Sequence, residues 1–242
     1  MLRALVFDFD GLILDTETPR YEAWREIFAE HGCELPLAEW IRVIGRAPGD
    51  HDPTEILQSC AGRPLDRGRI LRDHERRENR RIAELSACPG VVDLIGEACA
   101  AGLALAVASS SDHPWVAGHL RRLGLHEAFA VISCASSEVA AKPAPDVYDL
   151  ALRELGVTAA EAVAFEDSHH GVDAATAAGI ACVAVPNRLT RTLAFPDAAL
   201  RVDTLEGLDV SAIASLVERR TPRRVDARPQ AKPARRRAEE DR

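Results

Sequence analysis

Lysine is almost missing from this chain. Its 242 residues hold 28 arginines but only two lysines, Lys142 and Lys232, and Lys232 lies in the basic C-terminal stretch. Arginine fills every other basic position of the body, so Lys142 marks a place that calls for a compact ammonium and has no room for a planar guanidinium fork. Long apolar runs are missing too. None approaches the roughly 18 residues of a membrane span, which argues against a membrane protein. The first residues lead into an acidic strand end and not into the apolar stretch of a signal peptide, so no export signal and a cytoplasmic location are expected. The six cysteines, at 33, 60, 88, 99, 134 and 182, form no Cys-x-x-Cys pair and have no histidine at zinc spacing. They are expected to be reduced thiols, mostly small core residues.

The net charge of −8 hides an asymmetry: residues 219–242 carry ten Lys or Arg against four Asp or Glu, so the rest carries −14. An acidic body speaks against a specific nucleic-acid partner. The stretch 219–242 is rich in Arg, Pro and Ala with few large apolar residues, and is expected to be a disordered, solvated tail. A monomer is expected, long enough for one full core or a core with a smaller insertion.

What is present begins at once. Residues 4–7 are a short apolar run of one buried strand, followed by Asp8, Phe9, Asp10 and Gly11. In a parallel sheet the strand is apolar on both faces, so Asp8 and Asp10 fall just past its carboxyl end, where open α/β sheets place their ligands. The i, i+2 spacing aims both carboxylates to one side, and Gly11 lets the chain turn sharply beside a ligand. Two like charges so close repel unless a cation or a shared proton offsets them.

From 16 to 86 the pattern is helical, with Thr16 as the expected cap of the first helix and no convincing strand. From 90 onward helices and strands alternate: strands at 103–108, 130–133, 162–165 and 180–185, and helices at 91–101, 115–123, 143–155 and 168–178, several stopped by glycine. Such alternation predicts an α/β fold, a parallel sheet wrapped by helices. The block 16–86 is then an inserted helical cap over the carboxyl edge, with 1–15 and 87–218 forming the core.

Three further features answer the first carboxylate pair. Ser109, Ser110 and Ser111 end one strand and open a helix, offering hydroxyls and free N–H groups to an anion. Glu166 and Asp167 end another, and four carboxylates at one edge are unfavourable unless they hold a hard cation; oxygen-only ligands suit Mg²⁺ together with a substrate phosphate. Lys142, between Ala141 and Pro143, is expected to open a helix. His169 and His170 point in different directions and are read as surface or capping residues.

These motifs resemble those of the haloacid dehalogenase-like superfamily: Asp8-Phe9-Asp10-Gly11 with Leu14-Asp15-Thr16-Glu17, then Ser109, Lys142-Pro143-Ala144-Pro145-Asp146 and Glu166-Asp167-Ser168. The branch they resemble is the phosphatase and β-phosphoglucomutase group with a helical cap. The resemblance implies a Rossmann-like core and a phosphoryl-transfer site acting on a small phosphorylated metabolite. Asp8 would be the nucleophile and Asp10 the general acid and base. Mg²⁺ would be held by Asp8, the Asp10 carbonyl and Asp167, with Glu166 helping directly or through water. Gly11, Ser109, Ser110 and Lys142 would bind the phosphoryl group. Dehalogenase chemistry itself fits poorly, because it needs no Mg²⁺ and lacks the second acid. β-Phosphoglucomutases carry a histidine, a lysine and an arginine in the cap at positions that align with Arg20, Ile44 and Pro48, with Arg46 a substitute for one of them. Those losses favour a hydrolase over the alternative phosphomutase. Arg20, Trp24 and Arg46 are the expected cap contacts to substrate.

Overall fold

The computed structural model describes residues 1–42, 44–45 and 52–220. The expectations for Arg46, Pro48 and the tail beyond 220 therefore lie outside the described residues. In chain order the elements are β1 Ala4–Phe7, α1 Glu17–Glu30, α2 Leu37–Ile41, α3 Pro53–Ala61, α4 Arg67–Ile82, α5 Val91–Ala100, β2 Ala104–Ser109, α6 His113–Arg122, β3 Val131–Cys134, α7 Asp146–Leu155, β4 Ala162–Glu166, α8 His169–Ala177, β5 Ala181–Ala184, β6 Leu200–Arg201 and α9 Val210–Arg220. The strands form one parallel sheet in the order β3-β2-β1-β4-β5-β6, with β1 inside it. Every strand thus ends on the same edge, and Asp8, the Ser109–Ser111 run and Asp167 meet there.

Alternation along the strands sorts the core by size. Leu5, Phe7, Leu105, Val107, Val163, Phe165 and Val183 face one side, where Phe7 stacks on Phe165 at 4.9 Å between ring centres. Ala4, Val6, Ala106, Ala108, Ala162, Ala164, Cys182 and Ala184 face the other. Small side chains there let α7 and α8 lie close to the sheet, which sets where the residues at their N-termini reach.

The helices α1 to α4 fall between β1 and β2 in the chain and bury a further apolar cluster, with Trp24, Ile27, Phe28, Leu35, Trp40, Ile44, Leu57 and Ile70 in it, joined by Leu189 from beyond β5. Cys33 and Cys60 are joined in a disulfide there, which corrects the expectation that all the cysteines are reduced. Both follow or end helices of the same small cluster, so packing brings together two thiols that the sequence spacing leaves unrelated. Cys88, Cys99, Cys134 and Cys182 stand outside any disulfide.

Two other expectations shift. The helix expected from 143 starts at Asp146, so Lys142 lies before it in a turn, which the Ala144 N–H closes onto the Ala141 carbonyl at 3.1 Å. Thr16 does not cap α1 with its side chain; the Asp15 carboxylate accepts from the Thr18 N–H at 3.0 Å. The strand β6 and the helix α9, which runs on through Arg220 and into the stretch expected to be tail, were not legible in the sequence pattern.

Candidate active site

Asp8 sits one residue past β1, its N–H donating to the Phe165 carbonyl at 3.0 Å, so the sheet itself fixes the backbone that carries it. Lys142 reaches in from the chain ahead of α7. Its ammonium donates to Asp8 and, at 2.6 Å, to Glu166 Oε1, and lies 5.3 Å from the centre of the Tyr148 ring. The Tyr148 hydroxyl donates to Glu166 Oε1 as well, and Ser168 donates to Glu166 Oε2 at 3.4 Å. Asn187 donates to Asp167 Oδ2. Gly11 has φ +92°, and a Cβ there would run into the Asp167 carboxylate, so only glycine fits between the two strand ends.

Asp8, Glu166 and Asp167 are buried, with one oxygen of each within 4.8 Å of the others. Burial pushes the carboxyls of Asp8 and Asp167 well above the usual carboxylate range; their neighbouring acids add to that, and Lys142 opposes it. Burial alone would lower the Lys142 ammonium, but Asp8 and Glu166 outweigh it and hold the charge firmly. One ammonium facing these three carboxylates leaves an excess of negative charge. The Asp167 Oδ1 atom is buried with no hydrogen-bond partner. An orphaned acceptor in an all-oxygen cluster fits a hard cation, which would supply the missing ligand bond and offset the charge.

Asp10 belongs to a different set of contacts. Its Oδ1 accepts from Thr16 Oγ1 at 2.7 Å and from the Trp115 indole at 3.0 Å; its Oδ2 accepts from Ser111 Oγ at 2.7 Å and Ser109 Oγ at 3.4 Å. The Ser109 oxygen also accepts from the Ser111 N–H at 3.0 Å. Ser110 donates to the Gly45 carbonyl at 2.9 Å and accepts from the Lys142 N–H at 3.2 Å, tying the helical block, β2 and the lysine together. The serines thus brace the edge as well as line it. Of the two histidines, His169 pairs with the Ala194 carbonyl and His170 with that of Arg42, both away from the carboxylates.

Facing Asp10 from α1 and α4 is a buried charged group. Arg20 donates to Glu78 at 2.7 Å and to Glu17 at 3.3 Å. Burial raises Glu17 to about 7, with Arg20 pulling against it. Trp24 stacks on His74 at 4.3 Å between ring centres and is buried. Of the expected cap contacts, Arg20 is therefore engaged by two carboxylates and Trp24 lies in the interior of the block. Sequence reasoning read Ser111 as an anion donor and missed its bond to Asp10, and it missed Trp115, Tyr148 and Asn187. Asn187 follows β5, and searching every strand end, not only those with acids, would have found it; Tyr148 and Trp115 sit on the first turns of helices and carry no charge to announce them.

The chain belongs to the haloacid dehalogenase-like hydrolases, whose family pattern it matches over residues 5–185. It is similar to YhcW of Bacillus subtilis (strain 168), with 44% identity over 213 residues, covering 88% of this chain and 96% of that one. The phosphorylated carbohydrates phosphatase of Thermotoga maritima is 30% identical over 179 residues, 74% of this chain and 82% of its own. Among solved structures, CbbY from Rhodobacter sphaeroides with bound phosphate superposes with a TM-score of 0.72 at 34% identity, covering 88% of this chain and 100% of that one. A further CbbY structure holds xylulose-(1,5)bisphosphate.

Proposed function

We propose that this chain hydrolyses a small phosphate monoester, a sugar phosphate being the favoured class, through a phosphorylated Asp8. The observation that carries the reading is the Asp8–Lys142–Glu166 chain beside Asp167, with its unpartnered oxygen. The relatives named for phosphorylated carbohydrates or caught with a sugar bisphosphate support the substrate class.

In this reading an Asp8 oxygen attacks phosphorus and the P–O bond to the alcohol breaks, while Asp10 gives its proton to the leaving oxygen. Water then attacks the phosphorus of the acyl phosphate, Asp10 takes the proton, and Asp8 is returned with inorganic phosphate. Lys142 stays against Asp8 and balances charge on the phosphoryl oxygens as it develops. Glu166, fully engaged by Lys142, Tyr148 and Ser168, holds that lysine in place. Asp8 and Asp167, with the Asp10 carbonyl, would hold Mg²⁺, which supplies charge neutralisation to the phosphate when bound. The helices of 16–86 serve as the cap that keeps bulk water from the edge.

The test is phosphate release from a panel of sugar phosphates, with and without Mg²⁺. Wild type is expected to need Mg²⁺, and Asp8→Asn to lose several orders of magnitude in rate. Undiminished turnover by Asp8→Asn, or in excess chelator, would sink the mechanism.

A further inference from the structure

Asp10 has a mounting that the proton-transfer role above leaves unexplained. Four side chains from separate parts of the chain converge on its carboxyl group: Thr16 ahead of α1, Ser109 and Ser111 at the end of β2, and Trp115 on α6. Three of these are hydroxyls, which rotate and can donate or accept. The fourth differs in kind. An indole N–H can only donate, and its position is set by a ring that cannot swivel about a single C–O bond.

The ring is held from both ends. The Asp112 carboxylate caps α6 by accepting from the Trp115 N–H at 2.8 Å, which fixes the backbone that carries the ring. One turn on, His119 packs edge-on against it at 4.4 Å between ring centres. From this mount the indole reaches Asp10 Oδ1 at 3.0 Å, across 105 residues of sequence. A tryptophan needed only for buried area would not have to turn its one polar atom onto the carboxyl group proposed to move the proton.

We infer that Trp115 is a positioning residue for the general acid and base. Its N–H claims Oδ1 as an acceptor, together with Thr16. When Asp10 carries a proton, that proton is left to Oδ2, between the Ser111 and Ser109 hydroxyls, which are able to accept it. The inference rests on the phosphatase reading, since it gives Asp10 the same task. Losing the N–H lets the carboxyl group rotate and lowers the fraction of encounters in which Oδ2 faces the leaving oxygen.

The experiment compares two esters on the wild type and on Trp115→Phe, using kcat/KM, which reports the steps up to cleavage of the ester. 4-Nitrophenyl phosphate releases a stable phenolate and needs little help from an acid. An alkyl phosphate, such as the best sugar phosphate of the panel, must have its leaving oxygen protonated. General acid–base catalysis is worth about 10²–10⁴ in rate, so partial misplacement should cost the alkyl ester about tenfold or more and the nitrophenyl ester less than about threefold. KM for the alkyl ester should change little. Because Phe also removes ring area, a second variant carries benzothienylalanine at 115, which keeps the bicyclic shape and replaces N–H by sulfur; it should show the same split. Equal losses on both esters, or no loss with benzothienylalanine, would overturn the inference while leaving the phosphatase reading intact. A wild-type protein that cleaves neither ester would overturn that reading, and this inference with it.

Discussion

At the scale of single residues the site is a balance of buried charge, and Lys142 is its pivot. Lys142→Arg keeps the charge but asks a larger, planar group to fit where Asp8, Glu166 and the Tyr148 ring already touch the ammonium. It should lower kcat at least about tenfold, a barrier increase of about 1.4 kcal/mol, by steady-state assay. Lys142→Met should instead cost stability, about 3–5 kcal/mol, because it leaves buried carboxylates without their counter-charge; calorimetric melting in chelator checks this. Glu17 gives a pH signature. Its carboxyl is raised by burial from 4.5 to about 7 in the folded chain, so the folded state holds a proton that the unfolded chain has released. The stability tied to that proton is whole below pH 4.5 and drains away as pH rises to about 7, by about 3 kcal/mol at most. Glu17→Gln should therefore flatten the fall in melting temperature across that window, and a wild type and variant with parallel curves would refute it. At this scale the acids and the lysine were legible, because charge in a buried position is rare enough to stand out. Tyr148 and Asn187 were not, because neutral polar residues acquire meaning only from what the fold sets beside them.

At the scale of elements, strand ends and helix starts do the positioning. Gly171, in the first turn of α8, has the Glu166 carboxylate where a Cβ would be. Gly171→Ala must push Glu166 aside and Lys142 with it. Activity should fall about tenfold or more, alongside a loss of about 1–3 kcal/mol in stability from overpacking; full activity would mean the carboxylate has room to yield. In the helical block, the Cys33–Cys60 link closes a loop with a sequence separation of 27, worth about 3.5 kcal/mol by loop-closure entropy. Thiol titration of the denatured, unreduced chain should find four groups, rising to six after reduction. The helices and most strands were legible from apolar periodicity and glycine stops. The pairing of Cys33 with Cys60 was not, since spacing alone carries no information about packing between α1 and α3. The early start expected for α7 failed for a local reason: Pro145 disfavours helical backbone at Ala144 before it, and the helix waits until Asp146.

At the scale of the whole molecule, the parallel sheet gathers residues from four strand ends, those of β1, β2, β4 and β5, with Lys142 entering ahead of α7, and the inserted helices join them there. The Ser110 to Gly45 contact and the His170 to Arg42 contact join the two parts. The cap side offers Arg20 already paired with Glu17 and Glu78, and so no unengaged cation at the position that aligns with the mutase histidine. Given β-glucose-1-phosphate with catalytic glucose-1,6-bisphosphate, the protein should release inorganic phosphate faster than it forms glucose-6-phosphate; the reverse order would make it a mutase. The sheet order has a further consequence for biosynthesis. The first strand made is an inner one, and it must wait for β2 and β4 on either side. Asp8 leaves the ribosome about 160 residues ahead of Glu166, which at roughly 5–20 residues per second is a delay on the order of ten seconds or more. A nascent chain halted before β4 holds Asp8 beside an exposed strand edge with no Glu166 opposite, so chaperone contact should be densest in that interval.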